Sequence, residues 1–149
     1  MHEALLNQEL TVIRYTFATF ANIENELYRS KTGVHTVKGI FESFYRGQYV
    51  ASNGIDAFVD VLNLEEKKRD RKSSPYRLYL FSTMMPDIMY NEEKYTDEKR
   101  LKVFASNFED IILKYEVKKL DSVDLVFIPV LQGDHFYVLC VTPPKSTCG

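Results

Sequence analysis

The chain has little that could hold a metal or a nucleotide. His2, His35, His135, Cys140 and Cys148 are its only imidazoles and thiols. None forms a C-x-x-C or H-x-x-x-H pair, so no metal site is expected. The phosphate loops G-x-x-x-x-G-K-[ST] and G-x-G-x-x-G are both missing, which leaves nucleotide binding without support, and no cofactor is expected. Two cysteines outside any regular framework fit a reducing intracellular compartment. Charge of one sign is also lacking: 19 Lys and Arg stand against 21 Asp and Glu, for a net charge of -2. With no basic stripe interleaved with aromatics, nucleic acid is not an expected partner. No stretch approaches the roughly 20 apolar residues that span a bilayer. The N-terminus has no basic segment leading into an apolar core either, so a soluble chain with no membrane partner is expected.

What is present is enough apolar material for a core, at 45% of 149 residues, and a single main domain is the expectation. Leu6, Leu10, Ile13, Phe17, Phe20 and Leu27 recur at spacings of three, four or seven, which predicts a long amphipathic helix over residues 3–28. The organisation expected is therefore an N-terminal helix in residues 1–30 and a domain over residues 31–149. Gly33 marks the break between them, and His35 is expected at a loop or strand edge. A second helix should begin near Asn53, with Ile55, Phe58, Val59 and Leu62 facing the core and Asp56 and Asp60 in solvent. The mixed charges of residues 65–72 suggest its solvated end. Residues 77–81 suggest a strand. Thr96 can cap a third helix with an apolar stripe of Leu101, Phe104, Phe108, Ile111 and Tyr115, of which Phe104, Phe108 and Ile111 should be buried against the sheet that contains Phe127 and Val138. Helices with a small, mostly antiparallel sheet make an α+β domain.

The strongest local signal is Val126-Phe127-Ile128-Pro129-Val130, then Gln132-Gly133-Asp134, then His135-Phe136-Tyr137-Val138-Leu139-Cys140-Val141. Two runs rich in β-branched and aromatic residues around turn residues predict a hairpin of adjacent core strands. Pro129 cannot donate to a ladder, so it should end regular pairing or face away from a neighbour. His135 starts the second strand, where a side chain is held rigidly and still reaches a cleft. Cys140 lies five positions further on, so alternation puts it on the opposite face and the two cannot form a thiolate–imidazolium pair. Cys140 is expected to be a small buried hydrophobe. Cys148, in the tail beyond Pro143-Pro144, is a poor place for a preorganised nucleophile.

Taken in order, residues 74–83 with Arg77-Leu78-Tyr79-Leu80-Phe81, a helix, Asp124-Leu125-Val126-Phe127-Ile128-Pro129-Val130 and His135-Phe136-Tyr137-Val138 resemble the ubiquitin-like-protein-specific cysteine proteases. This is the SUMO protease family, and more closely its divergent, often transposon-associated plant branch. Tyr49-Val50-Ala51-Ser52-Asn53-Gly54-Ile55-Asp56-Ala57-Phe58 resembles the family's helix-opening segment, and the resemblance covers roughly residues 36 to 141. It implies part of a papain-like cysteine protease fold, with His135 as catalytic base and Tyr49 and Phe136 as aromatic contacts for a Gly-Gly tail. The implied partner is a SUMO-type modifier or its conjugates, and the implied location is intracellular, including the nucleus. Phe136 and Tyr49 stand where the family usually carries Trp. The family's acidic triad member, oxyanion-hole Gln and nucleophilic Cys would fall beyond Gly149, so a C-terminally incomplete peptidase domain, inactive alone, is expected. A noncatalytic modifier-binding module and a transposon-derived scaffold are the alternatives. An uncovered final strand is further expected to favour self-association.

Overall fold

The computed structural model describes residues 22–44, 47–70, 72, 75–84 and 91–145. The chain divides into two compact units, Met1–Ala57 and Phe58–Gly149.

In the first unit, strand β1 (Glu26–Arg29) pairs antiparallel with β2 (His35–Val37). The turn between them is closed by the Ser30 N–H, which donates to the Val34 carbonyl at 2.8 Å. Helical spacing had extended the N-terminal helix to Tyr28, but residues 26–28 are strand. Leu27 fits either period, and pairing with β2 overrides local propensity. Residues 3–21, the body of the expected helix, lie outside the described residues. His35 is exposed on its strand. Helix α1 (Lys38–Glu42) follows at once, and Lys38 is buried beside its ion-pair partner Glu42.

Helix α2 (Ser52–Lys68) follows, and its buried face is not the apolar one expected. Phe58 is 62% exposed, whereas Asp56, Asp60, Asn63 and Glu66 are buried together with Ala57 and Val59. Steps of four, three and three residues put those polar groups on one stripe. In the second unit their partners explain the burial. Asn63 donates from Nδ2 to the Tyr79 carbonyl at 2.7 Å and accepts the Tyr79 N–H at Oδ1 at 2.9 Å. Glu66 accepts the Arg77 N–H at 3.0 Å and pairs with Arg69 at 2.5 Å. Asp60 accepts from the Tyr115 hydroxyl. Burying such groups costs free energy unless they are hydrogen-bonded, and Asp60, Asn63 and Glu66 are.

Those contacts close one edge of a three-stranded sheet, ordered β3 (Arg77–Tyr79), β4 (Leu125–Gln132), β5 (His135–Val141). Asn63 and Glu66 satisfy alternate backbone groups of β3 as a neighbouring strand would, so helix side chains stand in for a fourth strand. On its other side β3 pairs with β4 in parallel, Leu78 opposite Val126. The expected sheet was mostly antiparallel; β1–β2 and β4–β5 are so, and the β3–β4 pair makes this sheet mixed. Leu78, Leu80, Val123 and Val126 form its buried centre, and Tyr79 stacks on Phe127 with ring centroids 4.9 Å apart.

Helix α3 (Asp97–Lys114) lies in the long crossover from β3 to β4. Thr96 caps it as expected, accepting the Lys99 N–H, with Asp97 and Glu98 in the positive first turn. Its apolar stripe is buried only toward the C-terminal end. Ile111 and Tyr115 are covered, Phe104 and Phe108 are half-buried and stacked, and Leu101 is exposed. The helix closes with a Schellman motif: Glu116 donates to the Leu113 carbonyl and Val117 to that of Ile112. Glu116 takes the left-handed position there, at φ +55°.

Asp124 knots the start of β4 to two other segments. Its Oδ2 accepts the Tyr76 N–H at 2.8 Å and its Oδ1 the Lys145 ammonium at 2.8 Å. Lys145 also donates to the carbonyls of Asp121 and Val123. The Lys145 hydrogen bond, helped by the Tyr76 N–H, holds the Asp124 carboxyl below the usual carboxylate range. The folded state therefore favours the charged form. This stabilisation is complete above the ordinary carboxylate range and is lost as pH falls through the lowered value. Asp124→Asn is expected to flatten the acid limb of a plot of unfolding midpoint against pH below about pH 4. An unchanged acid limb would remove Asp124 from the account.

Candidate functional site

The β4–β5 hairpin forms where the sequence places it, with an unbroken register from Val126 opposite Val141 to Gln132 opposite His135. The turn is Gly133-Asp134, and Gly133 has φ +64°, as the first position of a II′ turn requires. A two-residue turn makes Gln132 and His135 a hydrogen-bonded pair. Pairs then alternate, so Pro129 opposite Val138 falls at a position where β4 donates nothing to β5. The proline lies beyond the residues that pair with β3, so no ladder hydrogen bond is missing.

The second strand is not the core strand expected. Among the described residues β5 is the sheet's open edge, with Tyr137, Val138, Leu139 and Val141 exposed; Val138 reaches 66%. Its run of apolar residues carries no signal of which side is covered, because a buried strand and an uncovered edge read alike. Phe104 and Phe108 are accordingly not sealed against Val138.

His135 stands at the mouth of this hairpin with its side chain 73% exposed. Its Nδ1 lies 2.5 Å from Oδ1 of Asp134. No described residue meets its other nitrogen. Phe136, the next residue, is half-buried. Tyr49 lies in the first unit, in the segment leading into α2, and is 77% exposed. In that segment Gly54 sits under the ring of Phe44, where a Cβ would come within 2.5 Å of the ring edge. Cys140 is an exposed free thiol rather than a buried hydrophobe, because the edge strand that carries it is uncovered. The regular register keeps it on the face opposite His135. Cys148 lies outside the described residues. Among the described residues no group of three or more His, Cys, Asp or Glu side chains could hold a metal ion. Likewise none of their helices is long and apolar enough to cross a membrane.

In the sequence Asp134 stands out only as a turn residue, and the structure places its carboxylate beside the His135 ring. The buried stripe on α2 was missed because polar residues at helical spacing suggest solvent unless their partners are known.

No family model and no curated protein sequence matches this chain. Among solved structures it is similar to the crystal structure of a de-sumoylating protease, at a TM-score of 0.53 and 14% identity. The match covers 81% of this chain and 43% of that one. An α+β arrangement shared at that identity is a likeness of fold, and the chain spans less than half the length of the protease it resembles.

Proposed function

We propose that this chain is the histidine-bearing part of a cysteine peptidase domain of the SUMO-protease type, with a papain-like arrangement of helices and sheet. The observation that carries the reading is the β4–β5 hairpin, which presents an exposed imidazole at a strand start within a fold shared with a de-sumoylating protease. In such a site His135 acts as the general base that holds a cysteine as thiolate, and cleavage follows a Gly-Gly tail. Tyr49 and Phe136 supply flat rings against that tail. An N-terminal helix ending before β1 remains part of this proposal as a separate element, with residues 31–149 as the peptidase portion.

Cys140 is no nucleophile for His135, since the two occupy opposite faces of β5. This observation favours, as a second reading, recognition of the modifier without hydrolysis by these residues alone. Both readings require binding. Calorimetric titration with SUMO is expected to give a saturable complex, and Tyr49→Ala or Phe136→Ala to weaken it about tenfold each, or about 1.4 kcal/mol. Absence of heat and of any chemical-shift change at the hairpin would remove both readings. Turnover of a fluorogenic SUMO substrate that Cys140→Ser abolishes would overturn the assignment of faces.

A further inference from the structure

We infer that β5 is a self-association surface, on which a second copy of this chain pairs antiparallel about a two-fold axis centred on Val138. The inference does not depend on the proposed peptidase role.

The two outer edges of the three-stranded sheet differ. Asn63 and Glu66 seal β3, whereas among the described residues no strand pairs with the outer side of β5. Edge strands are ordinarily guarded by lysine, proline, a bulge or short length. β5 has none of these: it runs for seven residues in unbroken register, without proline and without Asp, Glu, Lys or Arg. The hairpin also fixes which backbone groups face outward. His135, Tyr137, Leu139 and Val141 exchange hydrogen bonds with β4, so the N–H and C=O groups of Phe136, Val138 and Cys140 point to the open side.

Those outward groups select a second copy as the occupant. Antiparallel pairing about Val138 sets Phe136 opposite Cys140 of the other copy and Val138 opposite itself, so every outward group of the three meets its complement. On the other face the same register sets exposed Tyr137 against exposed Leu139. A strand without charged side chains offers a charged peptide no ion pair, and two copies bring no like charges together along it. The contact is small. A strand of seven residues is about 24 Å long and about 10 Å deep with its side chains, so two such edges cover on the order of 500 Å². That falls below the roughly 1,200 Å² of a stable complex, and a weak dimer with a Kd of about 0.1 mM is expected.

Sedimentation equilibrium of the intact chain, from about 10 μM to about 1 mM, should show monomer and dimer in exchange. Val138→Lys and Val138→Glu each set like charges at the two-fold centre and should weaken the dimer at least about tenfold. Both should keep the wild-type unfolding midpoint, because Val138 is 66% exposed. Mixed in equal amounts, the two variants set unlike charges there and should associate within about threefold of the wild type. In concentrated wild type, amide exchange should slow at Phe136, Val138 and Cys140 and stay unchanged at Tyr137 and Leu139. A wild type that stays monomeric throughout leaves the edge to a different chain and overturns the inference. Association that survives Val138→Lys, or a mixture of folded variants that stays monomeric, overturns it equally. Should a variant unfold, the exchange pattern decides: slowing shared equally by Tyr137 and Leu139 rules out pairing at this edge.

Discussion

Tyr115→Ala is expected to destabilise the protein by about 3 to 5 kcal/mol, the range for deleting a large buried aromatic. The ring is 2% exposed and tilts against Phe81 with centroids 6.2 Å apart. Its hydroxyl donates to the fully buried Asp60 of α2. One side chain thereby joins the end of α3, the segment after β3 and the polar stripe of α2. Tyr115→Phe isolates the hydroxyl: it keeps the packing and is expected to cost about 1 to 3 kcal/mol for the buried hydrogen bond removed. Urea unfolding of the two variants measures both. A loss below about half a kcal/mol for the alanine variant, as at an ordinary surface site, would mean that α3 does not dock through Tyr115.

Asn63→Leu is expected to cost about 1 to 3 kcal/mol, because both backbone groups of Tyr79 lose their partner at once. The substitution keeps the size of the side chain and removes only its amide. It also reopens the edge of β3, so association that rises with protein concentration should accompany the loss of stability. Asn63→Asp retains an acceptor for the Tyr79 N–H but turns a second oxygen toward the Tyr79 carbonyl. It should therefore be no better tolerated. Chemical unfolding and sedimentation over a concentration series read the two effects separately. An unchanged midpoint and a monomer throughout would show that β3 needs no such cover.

The elements legible in the sequence were those defined by local chemistry. The Thr96 cap, the Gly133-Asp134 turn and the position of Pro129 each follow from what one residue can or cannot do with its own backbone. Partnerships between distant residues were not legible. Asn63 looks like any polar helix residue until Tyr79 is placed beside it, 16 residues away. The parallel pairing of β3 with β4 joins residues 48 apart, and no local pattern encodes it. The open edge at β5 was expected, but not the exposure of its side chains, which depends on what covers the faces of the sheet. For the candidate site, His135 stood out by its place at a strand start, directly after the Gly133-Asp134 turn.

The separation between β3 and β4 also orders the assembly of the sheet in time. The hairpin of β4 and β5 closes over two residues, an event of microseconds. Joining β3 to it requires the whole crossover, α3 included, to be gathered first, and the entropy of closing that loop is lost before any parallel hydrogen bond repays it. The nascent sheet thus begins as an isolated hairpin, a structure only marginally stable in water. The helix side chains that later seal β3 have no strand to grip until that slow step is over.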